Sequence, residues 1–282
     1  MPDAVVVTDR GGKIVFANRM TERLTGYSRQ ELIDHKVEVL VPRAQRSTHV
    51  RQRNSFHARG TPRMMGASEA DLKLRRKDGA EVPVEISLGP AAADTVAVIR
   101  DVTERRRMEL ALEHRALHDP LTDLANRTLF FDRLQQSIHS ARRERSQVAL
   151  VMLDLDGFKA INDAYGHVIG DDVLRKLSER LRRGLRATDT AARLGGDEFA
   201  LILPRVSNRT AVDRMVRRRL AIAQEPLIAG RRRINVRVSA GIAIHPDDGR
   251  DADILLRHAD AAMYSAKREG RTLVFHVSTR KA

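Results

Sequence analysis

The sequence contains no cysteine. This absence excludes disulfide bonds, thiolate metal sites, cysteine nucleophiles and flavin–cysteinyl photochemistry. Any chemistry that the chain performs must therefore use carboxylates, hydroxyls, or Lys, Arg and His side chains.

Aromatic residues are also scarce, at 4% of 282 residues, and 37 acids are outnumbered by 51 Lys and Arg residues, which gives a formal net charge of +14. An excess of this size favours polyanionic partners, either nucleic acid or phosphorylated small molecules. However, few rings are available to stack on bases, and the basic residues are scattered along predicted helices. We therefore interpret the charge as a solvated basic surface and expect no nucleic-acid partner.

Long hydrophobic runs are missing. The longest, near residues 148–153 and 200–203, fall far short of the roughly 20 residues that span a bilayer. The N-terminus has no basic segment followed by an apolar one, so we expect no export, no membrane segment and a cytoplasmic location. A chain of 282 residues is long for one core, which predicts two domains.

The first hundred residues predict a small α+β domain with an antiparallel sheet. Two β-rich runs flank Asp9–Gly12, a hairpin signal, and Ser28 with Glu31 three residues later predicts a capped helix at 28–32. Another short helix is predicted at 20–27. Further strands are predicted at 70–76, 80–88 and 95–102, with turns at Lys77–Gly79 and Gly89–Pro90.

Four segments in this region resemble the PAS sensor family. They are V-V-V-T-D-R-G-G-K-I-V-F-A-N, G-Y-S-R-Q-E-L, R-K-D-G-A-E-V-P-V-E-I-S-L and D-V-T-E-R, in the family's order across most of residues 2–105. The resemblance implies a PAS domain over residues 1–102 and leads us to expect more chain before the first strand. It implies haem, flavin, a small metabolite or a protein as partner without choosing among them.

His49 lies on a predicted helix, at a position that resembles the haem-ligating histidine of oxygen-sensing PAS domains. The resemblance implies that a neutral imidazole there could coordinate haem iron. The alternative, which we favour, is a surface histidine beside Arg46, Arg51 and Arg53.

Residues 101–118 lack Gly and Pro and are rich in helix formers, with Thr103 as the predicted N-cap. We therefore assign residues 103–118 as a continuous helical linker. Its apolar residues fall loosely on one stripe, which leaves two alternatives: a signalling helix that pairs with a second copy, or an amphipathic helix that lies on its own domain. The stripe comprises Val102, Met108, Leu112 and Ala116.

The second half predicts a sheet covered by helices. Asp119–Pro120 is typical of a helix start, and residues 147–156 read as a buried strand whose last acids, Asp154 and Asp156, share one face. The remaining predictions are a helix at 208–223, a half-buried strand at 233–244, a turn at 245–249 in which His245 is structural, a helix at 252–267 and a strand near 273–276.

The segment R-L-G-G-D-E-F at 193–199 predicts a tight hairpin, because two glycines supply the positive φ of a short turn. Asp197 and Glu198 then lie at its mouth, ahead of a buried strand at 200–203. Adjacent carboxylates repel each other and favour a cation, and strand-end acids nearby would complete a set of oxygen ligands suited to Mg²⁺. Taken alone, the pair would fit a solvated acidic turn.

Four motifs together resemble the GGDEF diguanylate cyclase family, in its order and spacing. They lie at 119–127 (D-P-L-T-D-L-A-N-R), 154–172 (D-L-D-G-F-K-A-I-N-D-A-Y-G-H-V-I-G-D-D), 193–199 and 259–271 (A-D-A-A-M-Y-S-A-K-R-E-G-R). The resemblance implies a palm-like domain over residues 119–282, with a central sheet surrounded by helices.

The same resemblance implies a reaction. Two GTP molecules, one on each subunit of a homodimer, would condense to cyclic di-GMP with release of pyrophosphate, using Mg²⁺ or Mn²⁺. Asp197 and Glu198 are the candidate catalytic residues, and no general base is assigned. The implied metal ligands are Asp154, the Leu155 carbonyl, Asp197 and Glu198. The implied GTP-binding residues are Asn162 and Asp171 for guanine, Phe158 and Lys159 in a phosphate loop, and Lys267 with Arg271, expected one helical turn apart, for the triphosphate.

Arg186 and Asp189 match the family's RxxD inhibitory site, with Arg217 as a third contact. The resemblance implies inhibition by bound cyclic di-GMP; the alternative is a salt-bridged helix end. A catalytically silent GGDEF domain that binds GTP or cyclic di-GMP also stays open as a function. A palm-type polymerase or an adenylate cyclase is disfavoured by Asn162 and Asp171 together.

Overall fold

The computed structural model describes residues 3–59, 63–65, 72–230 and 232–277. The chain forms two compact units, Met1–Leu112 and Glu113–Ala282. Each combines helices with a sheet, as predicted. In the described ranges, no helix has both the length and the apolar character needed to cross a bilayer.

The N-terminal unit is built on one antiparallel sheet. Its strands are β1 (Ala4–Thr8), β2 (Ile14–Ala17), β3 (Arg63–Met65), β4 (Lys73–Arg75), β5 (Glu81–Ala91) and β6 (Asp94–Asp101), and its helices are α1 (Arg19–Thr25), α2 (Arg29–Leu32) and α3 (Arg46–Arg59). The strand order is β2-β1-β6-β5-β3, with β4 also pairing β5. Residues 70 and 71 of the predicted strand at 70–76 lie outside the described residues.

Two local patterns produce the structures that they predict. Asp9–Gly12 forms the turn between β1 and β2, where the Lys13 N–H donates to Asp9 Oδ1 at 2.8 Å. Ser28 Oγ accepts from the Glu31 N–H at 3.3 Å, and Glu31 Oε2 accepts from the Ser28 N–H at 2.9 Å. These reciprocal bonds satisfy donors that a helix start leaves free.

The turn predicted at Gly89–Pro90 is wrong. β5 continues through both residues to Ala91, and Pro90 lies opposite Thr95 of β6. The chain turns instead at Ala92, which has a left-handed φ of 54°. A proline ends a strand only where the neighbouring strand needs its missing N–H, so its presence alone does not locate the turn.

The linker is one helix, α4 (Thr103–Leu117), as predicted. Thr103 is its first residue and not its N-cap; the Thr103 N–H donates to Asp101 Oδ1 at 2.8 Å. Met108, Leu110 and Leu112 are 62–65% exposed, so the described residues leave these side chains uncovered.

The C-terminal unit has a five-stranded sheet in the order β13-β12-β7-β9-β8 and a separate β10–β11 hairpin. The strands are β7 (Gln147–Asp156), β8 (Thr190–Gly195), β9 (Glu198–Val206), β10 (Leu227–Ala229), β11 (Arg232–Ile234), β12 (Arg237–His245) and β13 (Leu273–Phe275). The helices are α5 (Arg127–Glu144), α6 (Phe158–Tyr165), α7 (His167–Arg182), α8 (Arg209–Ala223) and α9 (Ala252–Arg268).

Helices cover both faces of this sheet. The odd-numbered residues of β7, such as Val151 and Leu153, share a buried cluster with α7 and α8. The even-numbered residues, such as Leu150 and Met152, share another with α5 and α9. Asp154 continues the even-numbered series, which directs its side chain to the α9 face.

The helix start predicted at Asp119–Pro120 is wrong, because α5 begins at Arg127. Asn126 is its N-cap and accepts from the Leu129 N–H at 3.1 Å. The preceding segment forms a turn in which Asp123 has a φ of 58°. Asp119 Oδ1 accepts from the Thr122 N–H at 2.9 Å and so caps this turn. The predicted capping role of Asp119 is therefore right, but the element that it caps is a turn and not a helix.

The strand predicted at 233–244 is two strands, β11 and β12, and β12 is buried on both faces. Small residues allow this burial. A β-carbon placed on Gly241 would lie 2.0 Å from the backbone N of Met263 and 2.2 Å from the carbonyl of Ala259, both on α9. Because Gly241 has no side chain, the backbone of α9 packs directly against β12, and this contact sets the position of α9 on the sheet.

Candidate functional site

The predicted acids lie side by side at one end of the sheet. Asp154 of β7 is paired opposite Glu198 of β9. The Leu155 N–H donates to the Asp197 carbonyl at 3.3 Å, which fixes the turn against the end of β7. The four residues of the implied metal set are therefore neighbours in space.

The turn that carries these acids is the tight hairpin predicted from the glycines, with φ of 155° at Gly195 and 51° at Gly196. Residues with a β-carbon rarely adopt these angles. We call residues 193–199 the acidic hairpin.

Burial and mutual repulsion act on these carboxylates. Asp154 is 9% exposed, and burial raises its pKa, with the charges of Asp197 and Asp156 adding to the rise. Burial also raises the pKa of Glu198, together with the carboxylates of Asp260, Asp154 and Asp197. Several negative groups held together in a partly dry site favour a cation.

Lys267, in the last turn of α9, supplies one positive charge. Its Nζ lies 2.6 Å from Asp154 Oδ1, and this hydrogen bond raises the pKa of Lys267. Asp156 shares the same face, as predicted, and accepts from Ser239 Oγ at 2.9 Å. The structure thus brings a predicted metal ligand and a predicted phosphate ligand into direct contact.

The donors suit a hard divalent cation. They comprise carboxylates and a backbone carbonyl, the oxygen ligands that Mg²⁺ takes when it also keeps water and phosphate ligands. Within the described ranges, no three His, Asp or Glu side chains are close enough to hold a metal ion by themselves. The residues therefore fit a cation whose remaining ligands come from outside the protein.

Helix α6 begins beside these acids with free backbone donors. Gly157, its N-cap, has a φ of 71°, and no side chain in the described part of the chain caps the first turn. Phe158 and Lys159 are the first residues of that turn; Phe158 packs partly against the core and Lys159 is exposed. An uncapped helix N-terminus is a favourable place for a phosphate.

The predicted guanine-binding residues come together where α6 packs on α7. The Asn162 Oδ1 is buried and has no hydrogen-bond partner among the described residues. Gly170 makes room for it, since a β-carbon there would lie 1.9 Å from that oxygen. Asp171 follows Gly170 and is half-buried. A buried amide without a partner indicates a site that a ligand can satisfy.

Lys267 and Arg271 are not one helical turn apart, as the sequence predicted. α9 ends at Arg268, and Gly270, with a φ of 66°, turns the chain before Arg271. Arg271 is exposed, with its Nη1 3.4 Å from Glu269 Oε2. The glycine in the motif ends the helix, as left-handed glycines commonly do.

The RxxD segment forms a compact turn before β8. Asp189 Oδ2 accepts from the Arg186 N–H at 2.9 Å, and the Asp189 N–H donates to the Arg186 carbonyl at 3.0 Å. The Arg186 side chain is exposed. Arg217 pairs with Asp213 of its own helix at 2.8 Å.

Arg219, which the sequence reasoning missed, ties α8 to the chain just before this turn. Its guanidinium donates to the carbonyls of Arg183 at 3.1 Å and Gly184 at 2.8 Å. Burial lowers the pKa of Arg219. Only its place in the basic run 217–219 marked it in the sequence.

Arg193 is the second residue that sequence reasoning missed. Its Nη1 lies 3.0 Å from Asp119 Oδ1, and its Nε and Nη2 donate to the Gly196 carbonyl at 3.0 and 2.8 Å. Although burial opposes it, hydrogen bonds from Thr122 and Arg193 hold the pKa of Asp119 below its usual value. Arg193 therefore joins the segment after α4 to the acidic hairpin.

In the N-terminal unit, His49 is half-buried and oriented by a carboxylate. Its Nδ1 lies 2.9 Å from Glu38 Oε1, and Arg53 shares that oxygen at 2.7 Å. His49 also lines a cavity of about 410 Å³. A histidine held through one ring nitrogen by a carboxylate fits a metal ligand. Haem coordination and the favoured alternative, a surface histidine without haem, both stay predictions.

Residues 116–273 match the family described as diguanylate cyclase, GGDEF domain. The chain belongs to the GGDEF family. Residues 2–104 match a PAS domain family, so a PAS domain precedes the GGDEF domain. The domain boundaries at 102/103 and 118/119 stay predictions.

Two curated relatives and one solved structure illustrate the likeness. The bifunctional diguanylate cyclase/cyclic di-GMP phosphodiesterase MucR of Pseudomonas aeruginosa is 44% identical over 172 residues, 60% of this chain and 24% of MucR. The probable diguanylate cyclase DgcE of Escherichia coli K12 is 35% identical over 277 residues, 95% of this chain and 25% of DgcE. The chain thus spans about a quarter of the length of either relative.

The GGDEF domain of DgcB from Caulobacter crescentus, solved in complex with c-di-GMP, is 32% identical with a TM-score of 0.53. The match covers 58% of this chain and 94% of that one. The likeness confirms the predicted fold of the second domain, and membership of the family implies dependence on a divalent metal in general.

Proposed function

We propose that this chain is a diguanylate cyclase that condenses two GTP molecules into cyclic di-GMP with release of pyrophosphate. The observation that carries the proposal is the pairing of Asp154 with Glu198 at the sheet end, with Asp197 and Lys267 beside them. Carboxylates that repel one another next to a lysine suit a metal-bound triphosphate.

Different residues of the site bind different parts of the substrate. Asp154, the Leu155 carbonyl, Asp197 and Glu198 would hold Mg²⁺ or Mn²⁺, which when bound neutralises phosphate charge and makes the 3′-hydroxyl more acidic. Lys267 binds the triphosphate with its compact ammonium charge, and Arg271 binds it with the paired N–H donors of its guanidinium. The first turn of α6, with Phe158 and Lys159, donates backbone N–H groups to the same phosphates. Asn162 and Asp171 bind the polar edges of guanine.

One domain holds one GTP, so the product requires two domains facing each other. We infer a homodimer in which each copy contributes its own nucleotide. The exposed apolar residues of α4 support pairing of this helix with α4 of the second copy. The hydrogen bonds that Arg193 makes to Asp119 and to the Gly196 carbonyl would transmit a change in the PAS domain to the acidic hairpin. Because GTP is a cytoplasmic metabolite, we place the reaction in the cytoplasm.

Incubation of the purified chain with GTP and Mg²⁺, followed by chromatography of the products, tests the proposal. Cyclic di-GMP that forms only when both are present supports it. GTP binding without any cyclic di-GMP would favour the second candidate, a silent GGDEF domain that acts by binding nucleotide.

Gly170→Ala is expected to raise the KM for GTP about tenfold, because the new methyl group displaces the Asn162 carboxamide and one hydrogen bond to guanine is lost. The melting temperature should hold or rise, since Ala favours a helix more than Gly. Gly89→Ala, where a β-carbon meets no described atom within 4 Å, is the control. Equal KM values for Gly170→Ala and the unchanged chain would exclude this role for Gly170.

Arg186→Ala is expected to weaken inhibition by cyclic di-GMP at least about tenfold, because a charged hydrogen bond to the product is lost. Initial rates at fixed GTP and rising cyclic di-GMP give the inhibition constants. Arg143→Ala, at an exposed position of α5, is the control. If Arg186→Ala retained full inhibition, the proposed inhibitory site of Arg186, Asp189 and Arg217 would be wrong.

A further inference from the structure

A groove of the GGDEF domain lies at the end of the sheet away from the acidic hairpin. It has a volume of about 740 Å³, and Gln147, Val206 and His245, which end β7, β9 and β12 on this side, are among the residues that line it. β7 runs from this groove to the predicted metal ligands, and its ten residues separate the two places by about 30 Å. The groove is therefore distinct from the proposed GTP site.

Three arginines line this groove, and they outnumber its acids. The arginines are Arg142, Arg145 and Arg250, and the acid among the described lining residues is Asp247. Asp247 Oδ2 accepts from Gln147 Nε2 at 2.9 Å. With histidine counted as neutral, the lining carries an excess of two positive charges, which matches the charge of one phosphate monoester near neutral pH.

The guanidinium groups keep their charge for a ligand. Arg142 Nη2 donates to the carbonyl of Arg250, which is a neutral group. Among the residues that the structure describes, the side chains of Arg145 and Arg250 have neither a hydrogen bond nor an ion pair. Glu144, which precedes Arg145, is already held by Arg205 at 2.8 and 2.9 Å. This carboxylate therefore does not neutralise Arg145.

Two arginines at this end occupy backbone positions that favour glycine. Arg145 ends α5 with a left-handed φ of 52°. Arg205, with a φ of 54°, is the extra residue where the pairing of β7 with β9 shifts register. Glycine is the usual residue both at such a helix end and at such a bulge, because a side chain is strained there. Strain that is kept in order to place a positive charge favours a functional role for that charge.

The other lining residues favour a small molecule that carries hydroxyl groups. Ser146, Ser207 and Gln147 offer hydroxyl and amide groups. No Phe, Tyr or Trp is found among the described lining residues, so a nucleobase would have no such ring to stack on. The volume lies within the range of pockets that bind small molecules. Arginine suits phosphate in particular, because its paired N–H donors match two phosphate oxygens.

We propose that this groove binds a phosphate monoester of a non-aromatic, hydroxyl-bearing small molecule, such as a sugar phosphate. Arg142, Arg145 and Arg250 bind the phosphate, and Ser146 and Ser207 bind the hydroxyl groups. The proposal does not depend on the cyclase activity, because the groove shares no residue with the proposed GTP and inhibitory sites.

Calorimetric titration of the full chain with glucose 6-phosphate, glucose and inorganic phosphate, in buffer without divalent metal, tests the proposal. The Kd for glucose 6-phosphate should be at least about tenfold below that for inorganic phosphate and about a hundredfold below that for glucose. Arg145→Gly should raise it about tenfold or more, while the melting temperature holds or rises because glycine adopts this φ without strain. Arg250→Gln should also raise it about tenfold. Arg143→Gln, which removes the same charge from an exposed position of α5 outside the groove, is the matched control and should stay within about twofold.

Several results would overturn the proposal. They are no binding of glucose 6-phosphate, equal or tighter binding of glucose or inorganic phosphate, and an unchanged Kd for Arg145→Gly. An equal loss of binding in Arg186→Ala or Lys267→Ala would instead place the ligand in the inhibitory site or the GTP site. A lower Kd for hexaglutamate than for glucose 6-phosphate would assign the groove to an acidic protein segment.

Discussion

Replacing Asp197 by Asn is expected to lower the rate of cyclic di-GMP synthesis about a thousandfold or more, because the amide cannot neutralise the metal that carries the triphosphate. The melting temperature is expected to hold or rise. Asp197 raises the pKa of both Asp154 and Glu198 by repulsion, so the substitution removes a destabilising charge. Loss of activity without loss of stability is the signature of an acid kept for function.

Initial rates at saturating GTP and Mg²⁺, together with thermal melts, measure both effects. Glu144→Gln is the matched control, since it makes the same change from carboxylate to amide at an exposed ion pair with Arg205, at the opposite end of β7. Its rate should be unchanged. An Asp197→Asn variant that kept its rate within tenfold would show that Asp197 is not a ligand of the reacting centre.

Arg193→Met is expected to lower the free energy of unfolding of the GGDEF domain by about 2–3 kcal/mol, because it leaves Asp119 half-buried without its cation. The two side chains are only 12% and 18% exposed. The Gly196 carbonyl also loses both of its bonds to Arg193, so the acidic hairpin is held less firmly. The synthesis rate should therefore fall about a hundredfold, as catalytic groups lose their alignment.

A double-mutant cycle separates this coupling from general damage. Asp119→Asn with Arg193→Met should be more stable than the sum of the single effects predicts, because no unpaired charge remains. Arg205→Met, at an exposed pair, should leave the melting temperature nearly unchanged. Additive effects of Asp119→Asn and Arg193→Met would show that the pair does not join the two segments.

The sequence predicted the features whose signals are local. The acidic hairpin follows from two glycines, and the placement of Asp154 and Asp156 follows from alternation along a strand. The same alternation places Asp154 towards α9, where Lys267 is found. The motifs of the PAS and GGDEF families then identified the two domains, because the residues of each family occur in a fixed order and spacing.

The features that sequence reasoning missed depend on distant contacts. Asp119 is a plausible helix cap by pattern, yet its partners include Arg193, 74 residues away. Lys267 and Arg271 are expected one helical turn apart because they are four positions apart in the sequence, but α9 ends at Arg268 and Gly270 turns the chain before Arg271. The cavity that His49 lines is formed by strands that are far apart in the chain, so it is visible only once they pack.

The most direct test measures cyclic di-GMP formation from GTP and Mg²⁺ over a hundredfold range of protein concentration, with Asp197→Asn as the blank. If two half-sites must meet, the product should form, and the rate per subunit should rise with protein concentration until dimers saturate. No cyclic di-GMP at any concentration, with GTP still bound, would contradict the assignment of this chain as a diguanylate cyclase.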